Sequence, residues 1–124
     1  MELDREHLLR MAGGDVELAD EVLDIFRTQA ATWGRMLDPN LDASQWADAA
    51  HTLKGAALSI GAHDFAELCR KAEQLGRSGE ASSVASAMML SDVKAALALT
   101  LDACARASHH LSKPGLRPSK TSNS

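Results

Sequence analysis

Apolar residues recur three and four positions apart along most of the chain, the spacing of one face of an α-helix. A first short helix is predicted over 3–11. Asp4 is its N-cap, Leu8 and Met11 face inward, and Gly13-Gly14 stop it. Asp15 caps a second, long helix with Leu18, Val22, Phe26, Ala30, Trp33 and Leu37 on its apolar side and Leu23 and Ile25 beside them. Asp38-Pro39-Asn40 breaks it, because proline cannot continue a helix. A third helix starts at Asp42 or Ser44 and ends at Gly61, with Trp46, Ala49, Leu53, Ala56 and Ile60 inward. A fourth starts at His63 or Asp64, buries Phe65, Leu68, Cys69, Ala72 and Leu75, and ends between Gly76 and Gly79. Ser82 or Ser83 opens the last helix. Its stripe is Val84, Met88, Val93, Leu97, Leu101 and Cys104, and Leu90 and Leu99 fall off it.

Four long helices with short connections predict an all-α antiparallel four-helix bundle, because short loops force neighbours to run opposite ways. The first short helix caps one end. The bundle is expected to occupy 1–111, and 112–124, with Pro114, Gly115 and Pro118, to be a disordered basic tail. Aromatics make up only 3% of the chain, so its core must come from aliphatic side chains and alanine, which suits closely packed helices.

One helix carries a polar arrangement that packing does not require. At about 100° per residue, His51 lies opposite the Trp46–Leu53 face, with Lys54 three residues on and Gly55 four residues on. Glycine costs ~1 kcal/mol relative to alanine inside a helix. The expected return is access, since residue i+4 flanks residue i. Gly55 would clear one side of the imidazole, and Lys54 could bring an ammonium toward a group carried on it. A neutral imidazole is a nucleophile near neutral pH, and a nearby cation suits a transferring phosphoryl group.

The run His51-Thr52-Leu53-Lys54-Gly55, followed by Gly61, Phe65, Leu68-Cys69 and Glu73, resembles the histidine phosphotransfer (HPt) domain of multistep two-component phosphorelays. That family's pattern is H-x-L-K-G, a helix-ending glycine, then an apolar residue and L-C on the next helix. Gly13-Gly14-Asp15 with Glu17-Leu18 also looks like the start of that family's first long helix. The resemblance spans roughly residues 3 to 105. It implies a phosphoryl carrier that relays between receiver-domain aspartates through phospho-His51, with Lys54 steadying the charge. It also implies response-regulator receiver domains, and a hybrid sensor kinase, as partners. Mg²⁺ would belong to the receiver, so this chain is expected to need no cofactor. Sensor-kinase dimerisation domains differ: they carry an acid after the histidine and a proline soon after. Here Thr52 follows His51, and no proline lies between Pro39 and Pro114. Self-phosphorylation from ATP is therefore not expected.

Leu58 lies about 20° from His51 on the helical wheel. With Ala47 and Asp48 it forms the expected partner-docking set. A residue this large departs from similar domains, which usually carry a smaller one there. Asp48 either hydrogen-bonds the imidazole or only favours the helix electrostatically.

The net charge is -4, and without Lys113, Arg117 and Lys120 of the tail it becomes -7, which argues against nucleic acid as a partner. No apolar run is read as a membrane span and no signal peptide is evident, so a cytoplasmic monomer is expected. Cys69 and Cys104 fall on apolar faces and are expected to be buried free thiols. His63 with Glu67, and His109-His110, lack the partners of a designed metal site. The alternative function is a helical adaptor that binds a receiver or kinase without carrying phosphate.

Overall fold

The computed structural model describes residues 2–111, and the expected tail lies outside the described residues. Five helices follow in order: α1 (Arg5–Met11), α2 (Val16–Gly34), α3 (Ala43–Ser59), α4 (His63–Arg77) and α5 (Ser83–Leu111). No strand occurs among the described residues. α2 packs against α3 and α5, and α4 packs against the same two, which closes an antiparallel four-helix ring. α1 lies against one end of it.

Side-chain caps mark the starts of α1, α2, α3 and α5, whereas α4 begins after Ala62 without one. The Asp4 carboxylate accepts from the His7 amide at 2.9 Å, and Asp15 accepts from the amides of Glu17 and Leu18. The Gln45 side chain accepts from the Asp42 amide at 3.1 Å, one half of a capping box. Ser82 accepts from the Ala85 amide at 3.0 Å. Each satisfies a donor that a helix N-terminus leaves without a backbone partner.

The core contains Leu23, Phe26, Trp46, Leu53, Ile60, Phe65, Leu90 and Val93, with Phe26 and Phe65 in edge-to-face contact at 6.3 Å. Several expected inward positions prove exposed. Met11 on α1, Leu18 and Ile25 on α2, and Val84 and Met88 on α5 all face outward. α2 instead buries Ala19, Leu23, Phe26 and Ala30, a narrow four-three-four stripe that leaves Leu18 on its edge. α5 is apolar on every side, so its periodicity did not select a face. Leu90, expected off the stripe, is fully buried, whereas Leu99 is exposed. α5 is also long and apolar enough to cross a membrane by length and composition, contrary to the reading of the sequence, although 33% of its most apolar stretch is buried. α2 ends at Gly34, ahead of the Asp38-Pro39 break, and a turn then buries Leu37.

Two glycines set the frame for α3 and α4. Gly61 adopts a φ of 75°, and a Cβ there would stand 2.8 Å from the Asp4 carbonyl oxygen. The Asp4 amide donates to the Gly61 carbonyl at 3.0 Å, so the N-terminal segment is pinned to the α3–α4 turn. α4 ends at Arg77, within the expected Gly76–Gly79 stretch, and Gly76 lies buried in its last turn. A Cβ on it would come within 2.8 Å of both Ala47 Cβ and Trp46 Cζ3. Its missing side chain is what lets α3 and α4 approach closely. That approach seals Ala47 completely, so Ala47 is not part of a docking surface.

Cys69 and Cys104 are buried free thiols. Burial pushes the Cys69 thiol up to about 12 and the Cys104 thiol up to about 11, so both stay protonated and unreactive near neutral pH.

Candidate functional site

The short turn around Ala62 folds α4 back along α3. Residue n on α3 then faces a residue near 124 − n on α4. His51 accordingly meets Glu73. The His51 side chain is 60% exposed, whereas that of Glu73 is only 18% exposed. His51 Nδ1 lies 2.9 Å from Glu73 Oε2, and Lys54 Nζ donates to Glu73 Oε1 at 3.0 Å. One carboxylate therefore bridges the imidazole and the ammonium.

The carboxylate can only accept, so the bond places the proton on Nδ1 of the neutral ring. Nε2 keeps its lone pair. Burial raises the Glu73 carboxyl, but the Lys54 hydrogen bond and charge, followed by His51, outweigh it. The net effect holds Glu73 below the usual carboxylate range. It therefore stays ionised and fixes the ring's orientation and tautomer, as a carboxylate does for a nucleophilic or basic histidine elsewhere.

Gly55 is exposed, and a Cβ added there would meet no atom within 4 Å. No packing inside this chain requires a glycine at this point. Asp48 does not bond the imidazole. Its carboxylate accepts from Arg77 Nη2 at 2.6 Å, and the same Nη2 lies 3.7 Å from Glu73 Oε2. Leu58 is 47% exposed and lines an open groove of about 160 Å³ with Lys54, His63, Ala66, Glu67 and Arg70. Its carbonyl accepts from His7 Nε2 at 3.0 Å, which ties α1 to the last turn of α3.

The sequence reading gave Glu73 no chemical role and passed over Arg77. Both were findable. The turn near residue 62 reflects 51 onto 73, and Arg77 follows Glu73 by one helical turn. His63 lies 3.5 Å from Asp4 and edge-on to His7 at 5.6 Å, within the frame that joins α1 to the α3–α4 turn. No group of three metal-ligating side chains occurs among the described residues.

A solvent-facing imidazole, held at one nitrogen by a half-buried carboxylate and flanked by a lysine and an open glycine, is equipped to accept and pass on an electrophilic group. The family profile of the Hpt domain matches residues 6–107. The chain belongs to the Hpt domain family. The crystal structure of the histidine phosphotransferase ShpA from Caulobacter crescentus is similar to this Hpt chain over 87% of its length and 91% of ShpA's. The TM-score is 0.70 and the identity 39%. Among curated proteins, none matches it significantly. The Hpt chain is a phosphotransfer protein of a phosphorelay, a carrier whose partners are receiver domains and kinases.

Proposed function

We propose that His51 is the phosphoacceptor and that its Nε2 carries the phosphoryl group. Nε2 attacks the phosphorus of a receiver aspartyl phosphate. The N–P bond forms as the P–O bond to the aspartate breaks, and the aspartate leaves as a carboxylate. The Nδ1 proton stays in the bond to Glu73, so no proton has to leave the ring. Glu73 offsets the positive charge that the ring acquires on phosphorylation. Transfer to a second receiver runs these steps in reverse.

The observation that carries this reading is the His51–Glu73 bond at 2.9 Å, with the opposite ring nitrogen on an exposed edge. Lys54, held by Glu73, contributes positive charge beside the ring from that position. Gly55 leaves room for the receiver to approach. Leu58 and the groove beside it are the docking surface, together with exposed Asp48, three residues before His51 on α3. Mg²⁺ is supplied by the receiver and no cofactor resides in this chain. The protein works as a cytoplasmic monomer and does not phosphorylate itself from ATP.

The test is transfer from receiver domains loaded with a small acyl phosphate, followed by intact mass. A single acid-labile, base-stable phosphate that is absent in His51→Gln is the expected result. Binding without any phosphate gain would replace the carrier by an adaptor.

A further inference from the structure

Lys54 and Arg77 both approach Glu73, the carboxylate that holds the imidazole, and they are not equally free to serve a phosphoryl group. Lys54 is 27% exposed and bonded at 3.0 Å to Glu73, a side chain only 18% exposed. If Lys54 left, a largely buried carboxylate would lose its closest cation, which is costly in a desolvated setting. Arg77 stands differently. Its tight bond, 2.6 Å, goes to Asp48, whose side chain is 65% exposed. Water can replace Arg77 on Asp48 at little cost, as exposed ion pairs contribute little. Arg77 Nη2 also already lies 3.7 Å from Glu73 Oε2, the oxygen that holds His51. One carboxylate oxygen thus stands between its guanidinium and the imidazole, and its planar fork suits phosphoryl oxygens better than an ammonium does.

We infer that Arg77 is the mobile cation of the site: it exchanges the Asp48 carboxylate for the phosphoryl oxygens of phospho-His51. Asp48 is then a positioning residue that holds Arg77 beside the imidazole in the unphosphorylated protein and competes with phosphate for it afterwards. Lys54 stays on Glu73 and preserves the ring's orientation. No bond is made or broken in this exchange beyond hydrogen bonds. The inference rests on His51 being the phosphoacceptor.

The experiment loads the full chain with phosphoramidate and titrates the ³¹P shift of the phosphohistidine against pH. A cation in contact with the phosphoryl group favours its dianion and lowers the titration midpoint. Arg77→Gln is expected to raise the midpoint by about half a unit to one unit, and Arg77→Lys by less. Asp48→Asn, which removes the competitor, is expected to lower it by a few tenths. The double variant Asp48→Asn/Arg77→Gln should match Arg77→Gln alone, because Asp48 acts only through Arg77. Lys54→Met should move the midpoint less than Arg77→Gln does. A midpoint unchanged in Arg77→Gln, or moved more by Lys54→Met, overturns the exchange. An Asp48→Asn shift that persists in the double variant overturns the role of Asp48. Failure of the underlying reading looks different: no phosphohistidine signal forms in the unaltered protein, or the signal survives His51→Gln.

Discussion

The α3–α4 seam and the outward face of α5 use similar small and aliphatic residues, yet they present opposite surfaces. Along the seam, alanines and Gly76 bring two helices so close that polar groups at its edge can reach across. Asp48, Arg77, Glu73, Lys54 and His51 form one connected chain of contacts there. The outer face of α5 exposes Val84, Met88 and Leu99, and no described charged pair crosses it. Close packing, then, does more than stabilise this fold: it sets the distance at which one carboxylate can hold both an imidazole and an ammonium. Where helices expose apolar residues without such an approach, no chemistry is assembled.

Substitutions can break or sharpen this contrast. The largest effect is expected from Glu73→Gln. An amide there can still accept from His51, but it no longer offsets the charge on the phosphorylated ring. Transfer measured by stopped-flow should fall by about ten-fold or more. The same substitution should leave receiver binding within about two-fold, because Glu73 is largely covered.

Next come two alanine substitutions of opposite sign. In Gly76→Ala the new Cβ has to push against Ala47, Trp46 and the Ala43 carbonyl. Chemical denaturation should show a loss of about 2 kcal/mol, overpacking outweighing the gain in helix propensity. In Gly55→Ala the new methyl meets nothing within the chain, and stability should rise by about 1 kcal/mol. Transfer should nevertheless slow in Gly55→Ala if Gly55 has the proposed access role, since the methyl group would then stand in the receiver's path to the imidazole. A Gly55→Ala protein that is both more stable and equally fast would remove the access role of Gly55.

Acid should weaken the seam in a defined direction. The Glu73 carboxyl lies below its ordinary value in the folded protein. Its stabilising contribution is therefore present in full above the ordinary carboxylate range and is lost as pH falls through the lowered folded value. A ¹³C carboxyl titration of Glu73 should show that lowered midpoint, and Lys54→Met should move it upward, because Lys54 supplies the largest of the lowering effects.

The smallest effect is expected on α5. Met88→Lys places a charge on an exposed turn, so stability should change by no more than about 0.5 kcal/mol and transfer should not change. A marked loss of transfer would show that the outer face of α5 takes part in docking.

The amount legible in the sequence follows the same contrast. α4 alternates apolar and charged faces cleanly; of its expected inward residues, Phe65, Cys69 and Ala72 are buried and Leu68 and Leu75 half-buried. α5 offers apolar residues in every direction, so Val84 and Met88 looked no less inward than Leu90. His51, Lys54 and Gly55 were legible because a glycine beside a histidine in mid-helix has a cost that packing does not repay. Glu73 and Arg77 were harder to assign, because their chemistry depends on a neighbour 22 to 29 residues away. A charged residue at a helix edge looks like ordinary solvated surface until the hairpin geometry is applied. Ala47 misled for the reverse reason: the helical wheel puts it near His51, and only the missing side chain of Gly76 shows that α4 covers it.

The most direct measurement is a ³¹P-coupled ¹⁵N spectrum of the His51 ring in the phosphorylated protein. Phosphorus coupling on Nε2, with a proton retained on Nδ1 toward Glu73, is the predicted result. Coupling on Nδ1, or a phosphate attached to any residue other than His51, would contradict the account.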